Sequence, residues 1–137
     1  MKEKHMRFGA YIRKKRLTDL RELSMKDVGD HLGFTQQYMS LVENSNKKPF
    51  DGEVLEKLAA FLNLSEEETA LMYDLAGKEK NDVPYDIQDT LMYENVGDLI
   101  RYAARQTKAG FIKEEDWKKF IREKEEEKKQ NKLNEGD

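Results

Sequence analysis

Apolar positions recur through the first 77 residues with the three-and-four spacing of amphipathic helices. Phe8, Tyr11, Ile12 and Leu20 share one face of a first helix running from about Met6 to Leu20, with Arg13, Lys14, Lys15 and Arg16 clustered beside it. Ser24 is a good N-cap for a second helix, and Asp27 stands three residues on as a capping-box acid. Val28 and Leu32, four apart, face inward, and Gly33 closes that helix. Thr35 caps a third helix whose Met39 and Val42 point to the core. Asn44–Pro49 is a polar loop closed by proline. Asp51 caps a fourth helix with Leu55, Leu58, Ala59 and Leu62 on its buried stripe. Ser65 and Glu68 form the capping box of a fifth, continued by Leu71, Met72 and Leu75 and ended at Gly77.

Past that point the pattern thins. Lys78–Pro84 is polar and ends in proline, so a linker is expected over 78–85. Ile87, Leu91 and Met92 fit a helix. Leu99, Ile100, Ala103 and Ala104 form another stripe, Gly110 breaks the chain, and Glu114 and Glu115 lead into a last helix with Trp117, Phe120 and Ile121. The expected plan is a domain at 1–77, the linker, a helical oligomerisation or effector segment at 86–123, and a charged tail at 124–137. Pairs such as Glu125 with Lys129 can extend the last helix into that tail, which is expected to fray. The fold class is all-α.

Composition adjusts this picture in two places. Charged residues are 39% and hydrophobic ones 37% of the 137 positions, so part of the chain is expected to lack a packed core. The net charge of −3 hides an asymmetry: residues 1–50 hold 11 Lys/Arg against 6 Asp/Glu, whereas 51–137 hold 14 against 22. A basic half suits phosphate, and an acidic half suits protein or water. Cysteine is absent, which removes disulfides and thiolate metal sites. No apolar run reaches membrane-span length or follows the basic N-terminus as a signal peptide requires, so a cytoplasmic protein without membrane contact is expected.

Chemistry concentrates in Ser24–Glu43, which reads as two short helices joined by a tight turn, the second opening on two glutamines. A helix-turn-helix presents side chains to the DNA major groove in this way. Gln36 and Gln37 project outward at the helix start, where an amide can bond adenine through N6 and N7; each such contact discriminates a base by about 1–3 kcal/mol. Thr35 is a cap whose neighbouring N–H groups make a phosphate site. Tyr38 either lies along the backbone or packs under the loop, and Ser40 either bonds a phosphate or faces water. Leu41, on the exposed arc, either touches a thymine methyl or is surface without a role. Asn44, Asn46, Lys47 and Lys48 are placed to grip phosphates, contacts that position without reading sequence. Arg13, Lys14 and Lys15 either extend that footprint or form a solvated face.

The run Leu23-Ser24, Val28, Leu32-Gly33, Thr35, Tyr38-Met39-Ser40, Val42-Glu43-Asn44, Lys48-Pro49 and Leu55, Leu58-Ala59, Leu62 resembles the helix-turn-helix domain of the phage-repressor-like (Cro/C1, or XRE) family over residues 6–77. The resemblance implies a five-helix lambda-repressor-like DNA-binding domain followed by a small helical segment. It also implies that Arg16 pairs with Glu43. Two departures stand out. Met25 occupies the position after the second helix's cap, where the family often carries a phosphate-touching glutamine. Glu22 replaces the glycine common before the Leu-Ser pair, and the first connection is about two residues longer, so either the helix runs on or its turn bulges.

The function expected from this reading is a sequence-specific, double-stranded-DNA-binding transcriptional regulator. A homodimeric repressor is expected, because two motifs cover two half-sites. An antitoxin that also represses its own operon is the alternative, with its C-terminal helices masking a partner enzyme. A protein or small-molecule effector at those helices is a further expectation, and a helix-turn-helix scaffold that no longer binds DNA is a further reading. No enzyme, cofactor or metal is expected: His5 and His31 share no ligand spacing, His31 is a surface position, and no glycine-rich phosphate loop occurs.

Overall fold

The computed structural model describes residues 3–135; the first two residues of the expected N-terminal domain and the last two of the expected tail lie outside the described residues. Its helices are α1 (Phe8–Leu17), α2 (Met25–Leu32), α3 (Gln36–Glu43), α4 (Gly52–Phe61), α5 (Glu66–Lys80), α6 (Gln88–Met92), α7 (Asn95–Lys108) and α8 (Glu114–Glu135), with short 3-10 turns at Glu3–His5 and Tyr85–Ile87. The fold is all-α, with no strand among the described residues. The chain divides into two compact units, one ending at Gln88 and the other beginning at Asp89.

In the first unit α1 packs on α3 and α5, and α2 packs on α3 and α4. The core comprises Phe8, Tyr11, Ile12, Val28, Leu32, Met39, Val42, Phe50, Leu55, Leu58, Ala59, Leu62, Met72, Tyr73, Leu75 and Ala76. Helix α1 has no side-chain cap of its own. Instead Glu79, in the last turn of α5, accepts the Phe8 N–H at 2.9 Å and Arg7 Nε at 2.5 Å. At the other end of the same contact Lys15 donates to Glu68 at 2.6 Å, and between them the Tyr11 hydroxyl donates to the Glu68 carbonyl at 2.9 Å. The Lys15 ammonium holds the Glu68 carboxyl below its usual range, and burial pushes the Tyr11 phenol up to about 12.

The α1–α3 contact is closer still. A Cβ on Gly9 would lie 2.2 Å from the Val42 carbonyl oxygen and 2.6 Å from that of Glu43, so only glycine admits this approach of two backbones. Across the same contact Arg16 donates from Nε and Nη2 to the two Glu43 carboxylate oxygens, each at 2.8 Å, and from Nη1 to the Leu23 carbonyl at 3.0 Å. Both residues are buried, at 7% and 5% exposure, and the carboxylate holds the Arg16 guanidinium above its ordinary range. No described buried side-chain nitrogen or oxygen lacks a partner.

Ser24 and Ser65 each close a full capping box, with Asp27 and Glu68, and Gly33 ends α2 in the left-handed conformation at φ 85°. Three expectations are corrected, and one alternative left open is resolved. Leu20 is 99% exposed, because α1 stops at Leu17 and the 3.6-residue period stops with it. The longer connection is a bulged turn: Asp19 accepts the Arg21 N–H at 2.9 Å, and Arg21 Nη2 reaches the Phe61 carbonyl at 2.6 Å. Asp51 sits at the start of α4 without capping it through its side chain; its carboxylate lies 3.4 Å from Lys80 Nζ. Helix α5 passes through Gly77 to Lys80, and Asn81 (φ 53°) provides the left-handed residue that ends it. Gly77 is instead a packing position, with the Asp82 carbonyl 3.0 Å from where its Cβ would be. The charged tail is helical as far as Glu135, with a Lys124–Glu127 pair at 3.2 Å along it.

In the second unit Gly110, at φ 89°, separates α7 from α8. Trp117 Nε1 donates to Thr107 Oγ1 at 2.8 Å, and the Asp116 carboxylate accepts the Lys113 N–H at 2.8 Å ahead of α8. Arg101 bonds Asp98 and the Leu91 carbonyl.

Breaking one side of the buried pair strands a charge. Arg16→Met is expected to lose about 3–5 kcal/mol of stability in urea unfolding, and adding Glu43→Leu to recover most of it. A loss under about 1 kcal/mol for the single variant would show that the pair does not hold α1 to α3. Glu22 lies at φ 56°, where side chains are strained. Glu22→Gly is expected to raise stability by a net ~0.5–1 kcal/mol, seen as a higher urea midpoint with unchanged slope.

Candidate nucleic-acid interface

Helices α2 and α3 and the turn between them build the motif. The turn is forced tight: Gly33 and Phe34 both donate to the Gly29 carbonyl at 2.8 Å, and a Cβ on Gly29 would meet the Phe34 carbonyl oxygen at 2.7 Å. Thr35 then caps α3, its hydroxyl accepting the Tyr38 N–H at 3.1 Å. Met39, Val42 and Glu43 point inward and are buried, whereas Gln36, Gln37 and Leu41 are exposed, Leu41 at 38%. The first turn of α3 therefore offers two adjacent amides to solvent, with every inward position of the helix already occupied.

Tyr38 packs rather than projects. Its ring stacks on Phe34 at 4.8 Å, Phe34 stacks on Phe50 at 5.4 Å, and Phe50 meets Phe8 edge-on at 5.9 Å. This ladder runs from the exposed helix through the loop residue Phe50 into the core. Lys80 Nζ fixes its far side by donating to the Phe50 carbonyl at 2.9 Å. Phe34 and Phe50 were not among the expected site residues; their one sequence signal is an aromatic residue directly after Gly33 and after Pro49.

The loop after α3 carries the expected phosphate-gripping residues. Asn46 N–H donates to the Leu41 carbonyl at 2.8 Å across Ser45, which is left-handed at φ 62°. Asn46, Lys47 and Lys48 are exposed, and Pro49 and Phe50 behind them are buried. Asn44 and Ser40 engage each other: Asn44 Nδ2 donates to the Ser40 carbonyl at 2.9 Å and lies 3.3 Å from its hydroxyl. Their polar groups thus close the end of α3.

The basic cluster of α1 divides. Lys14 and Lys15 reach Glu3 at 3.1 and 3.2 Å and hold its carboxyl below the usual range, and Lys15 also serves Glu68. Arg13 is exposed. Met25 packs against the core, so the position where the family often places a phosphate-touching glutamine is here apolar filling. His31 is exposed and stacks on Phe61 at 4.2 Å. Among the described residues no three His, Asp or Glu side chains are grouped to hold a metal ion, and no helix is long and apolar enough to cross a membrane.

A helix held rigid from behind, with amides on its first turn and a basic loop beside its end, is the arrangement of a DNA-binding helix-turn-helix. Residues 12–68 match the family model described as helix-turn-helix, and this segment is a phage-repressor-like (Cro/C1, XRE-type) helix-turn-helix domain, the DNA-binding part of a transcription regulator. No curated protein and no solved structure matches the chain.

If the aromatic ladder holds α3, its buried and exposed ends should differ in weight. Phe50→Ala is expected to cost about 3–5 kcal/mol, and Tyr38→Ala about 1–2 kcal/mol because its ring is only part-buried. Urea unfolding compares them. Equal losses would mean that Phe50 is not the anchor.

Proposed function

We propose that this chain is a sequence-specific repressor that binds operator DNA as a homodimer in the cytoplasm and reads the major groove with α3. The observation that carries the reading is the exposure of Gln36 and Gln37 on the first turn of a helix whose opposite face is wholly buried. Side chains on such a turn reach base edges, and amides match adenine. In this reading Thr35 leaves the helix N-terminus to a phosphate, and Leu41 meets a thymine methyl. Asn46, Lys47 and Lys48 hold the strand beside the helix. Ser40 and Asn44 shape the end of the helix, from which their remaining hydrogen-bonding capacity meets the backbone. Tyr38 positions the helix and presents only its edge.

Regulation follows from occupancy. A protein bound across a promoter blocks access to it, and two copies covering half-sites one helical turn apart give such a complex its affinity. The absence of excess positive charge beyond residue 50 confines phosphate contact to the first fifty residues.

Selection of duplexes from a random pool at moderate salt tests the reading, with an enriched pseudo-palindrome as the expected result. On the selected duplex, Gln37→Ala is expected to lose about 1–3 kcal/mol and to accept other bases at its position. Lys48→Ala is expected to weaken all duplexes alike and to reduce the log–log salt slope by about 0.9. Wild-type binding by both variants would remove these residues from the interface.

A further inference from the structure

The second unit has helices but no core. Beyond Gln88 no described hydrophobic side chain is buried, and Gly97 is the one buried residue. Ile100, Ala103, Ile112 and Trp117 are partly covered. Val96, Leu99 and Tyr102 on α7, Phe111 in the turn, and Phe120 and Ile121 on α8 remain exposed, Leu99 at 70% and Phe111 at 81%. Helices of 14 and 22 residues are poorly stable in water by propensity alone and take their stability from a buried face. Here that face is open.

The first unit has no comparable surface. Its exposed large apolar residues, Leu17, Leu20, Leu41, Tyr85 and Ile87, are spread over the α1 end, the recognition helix and a 3-10 turn. The outward positions of its longest helix, α5, are Glu66, Glu67, Ala70, Asp74 and Lys78. A face of that kind does not drive self-association.

We infer that the open face of α7 and α8 is covered by the same face of a second copy of this chain. Three observations favour that occupant. Residues 89–137 hold 11 Lys/Arg against 12 Asp/Glu, so two copies meet without like-charge repulsion, and there is no basic excess to seek phosphate or anionic lipid. The area is of the right order: a fully buried aromatic side chain contributes roughly 150–250 Å². The exposed fractions of Tyr102, Phe111 and Phe120 (63%, 81% and 49%), with those of Leu99, Val96 and Ile121, supply a large part of the about 800 Å² per partner of a standard interface. Finally, an isologous contact uses one patch twice, and the described residues show one such patch. The inference rests on the dimeric reading above for the need of a second copy, and adds where the copies meet.

The test is the mass of the full chain in solution, by sedimentation equilibrium, for wild type and for Leu99→Asp, Phe120→Asp and Leu20→Asp. All three side chains are exposed within one chain, and circular dichroism checks that the first unit keeps its helices. The expected result is a wild-type dimer, a dimer for Leu20→Asp, and monomers for the other two. A monomeric wild type overturns the inference, as does a dimer that survives both Leu99→Asp and Phe120→Asp. A wild-type monomer that forms a stoichiometric complex with the product of an adjacent reading frame also overturns it, in favour of an antitoxin-like face. Duplex binding is read separately. The monomeric variants are expected to lose roughly 10²-fold or more on a two-half-site operator while keeping wild-type affinity for one half-site. A dimer that binds no duplex would leave the interface standing and remove the repressor reading; DNA binding with unchanged mass across the variants would do the reverse.

Discussion

The bidentate pair between Arg16 and Glu43 is the constraint on which the DNA-reading unit depends. One guanidinium joins α1, the residue before the α2 cap and the last residue of α3. The helix-turn-helix is thereby gripped at both ends of its span. Burial makes the pair costly to desolvate, so its contribution is orientation more than net stability. Around it, geometry leaves little slack. The backbones of α1 and α3 touch at Gly9, and α1 is fastened to α5 through Glu79 at its first turn and Glu68 near its last. Every degree of rotation of α3 about its axis would therefore either break a charge-assisted hydrogen bond or drive a backbone into a backbone.

The outward half of α3 inherits that rigidity. Preorganised recognition side chains lose less freedom on binding, and this helix is braced by an aromatic ladder as well as by the ion pair. The loop that follows is braced in the same way, because Phe50 belongs to both the ladder and the loop and is tethered by Lys80. The exposed residues of α3 and of the loop after it are thus held in one register by a single plug of packed rings. The second unit is built on the opposite principle: the N-cap of α7 makes no side-chain hydrogen bond, and α7 and α8 leave apolar side chains uncovered.

Legibility in the sequence followed the range of the interaction. Local signals read correctly: the Ser24 and Ser65 capping boxes, Gly33, Thr35 and the inward Met39 and Val42 each depend on residues within four positions. Extrapolated periodicity failed at Leu20, because a turn built by Asp19 and Arg21 interrupts the helix before that residue. Gly77 was misread as a stop because glycine also serves close packing, and an asparagine four residues later supplied the left-handed end. The Phe34–Phe50 stacking and the Gly9 contact arise only when distant segments meet, so no window of sequence displays them. For the site itself, side-chain type and exposure at Gln36 and Gln37 were legible, whereas the mutual engagement of Ser40 with Asn44 required coordinates.

Helix α3 keeps its buried residues and its exposed residues in disjoint sets. Met39, Val42 and Glu43 serve the interior; Gln36, Gln37 and Leu41 serve the exterior; and the spacing to α1 is set by main-chain atoms at Gly9. Substitutions on the outer set leave the mounting unchanged. Such a frame lets the outer positions change one at a time with each intermediate still folded, so the exposed surface of α3 can diverge without passing through a loss of stability.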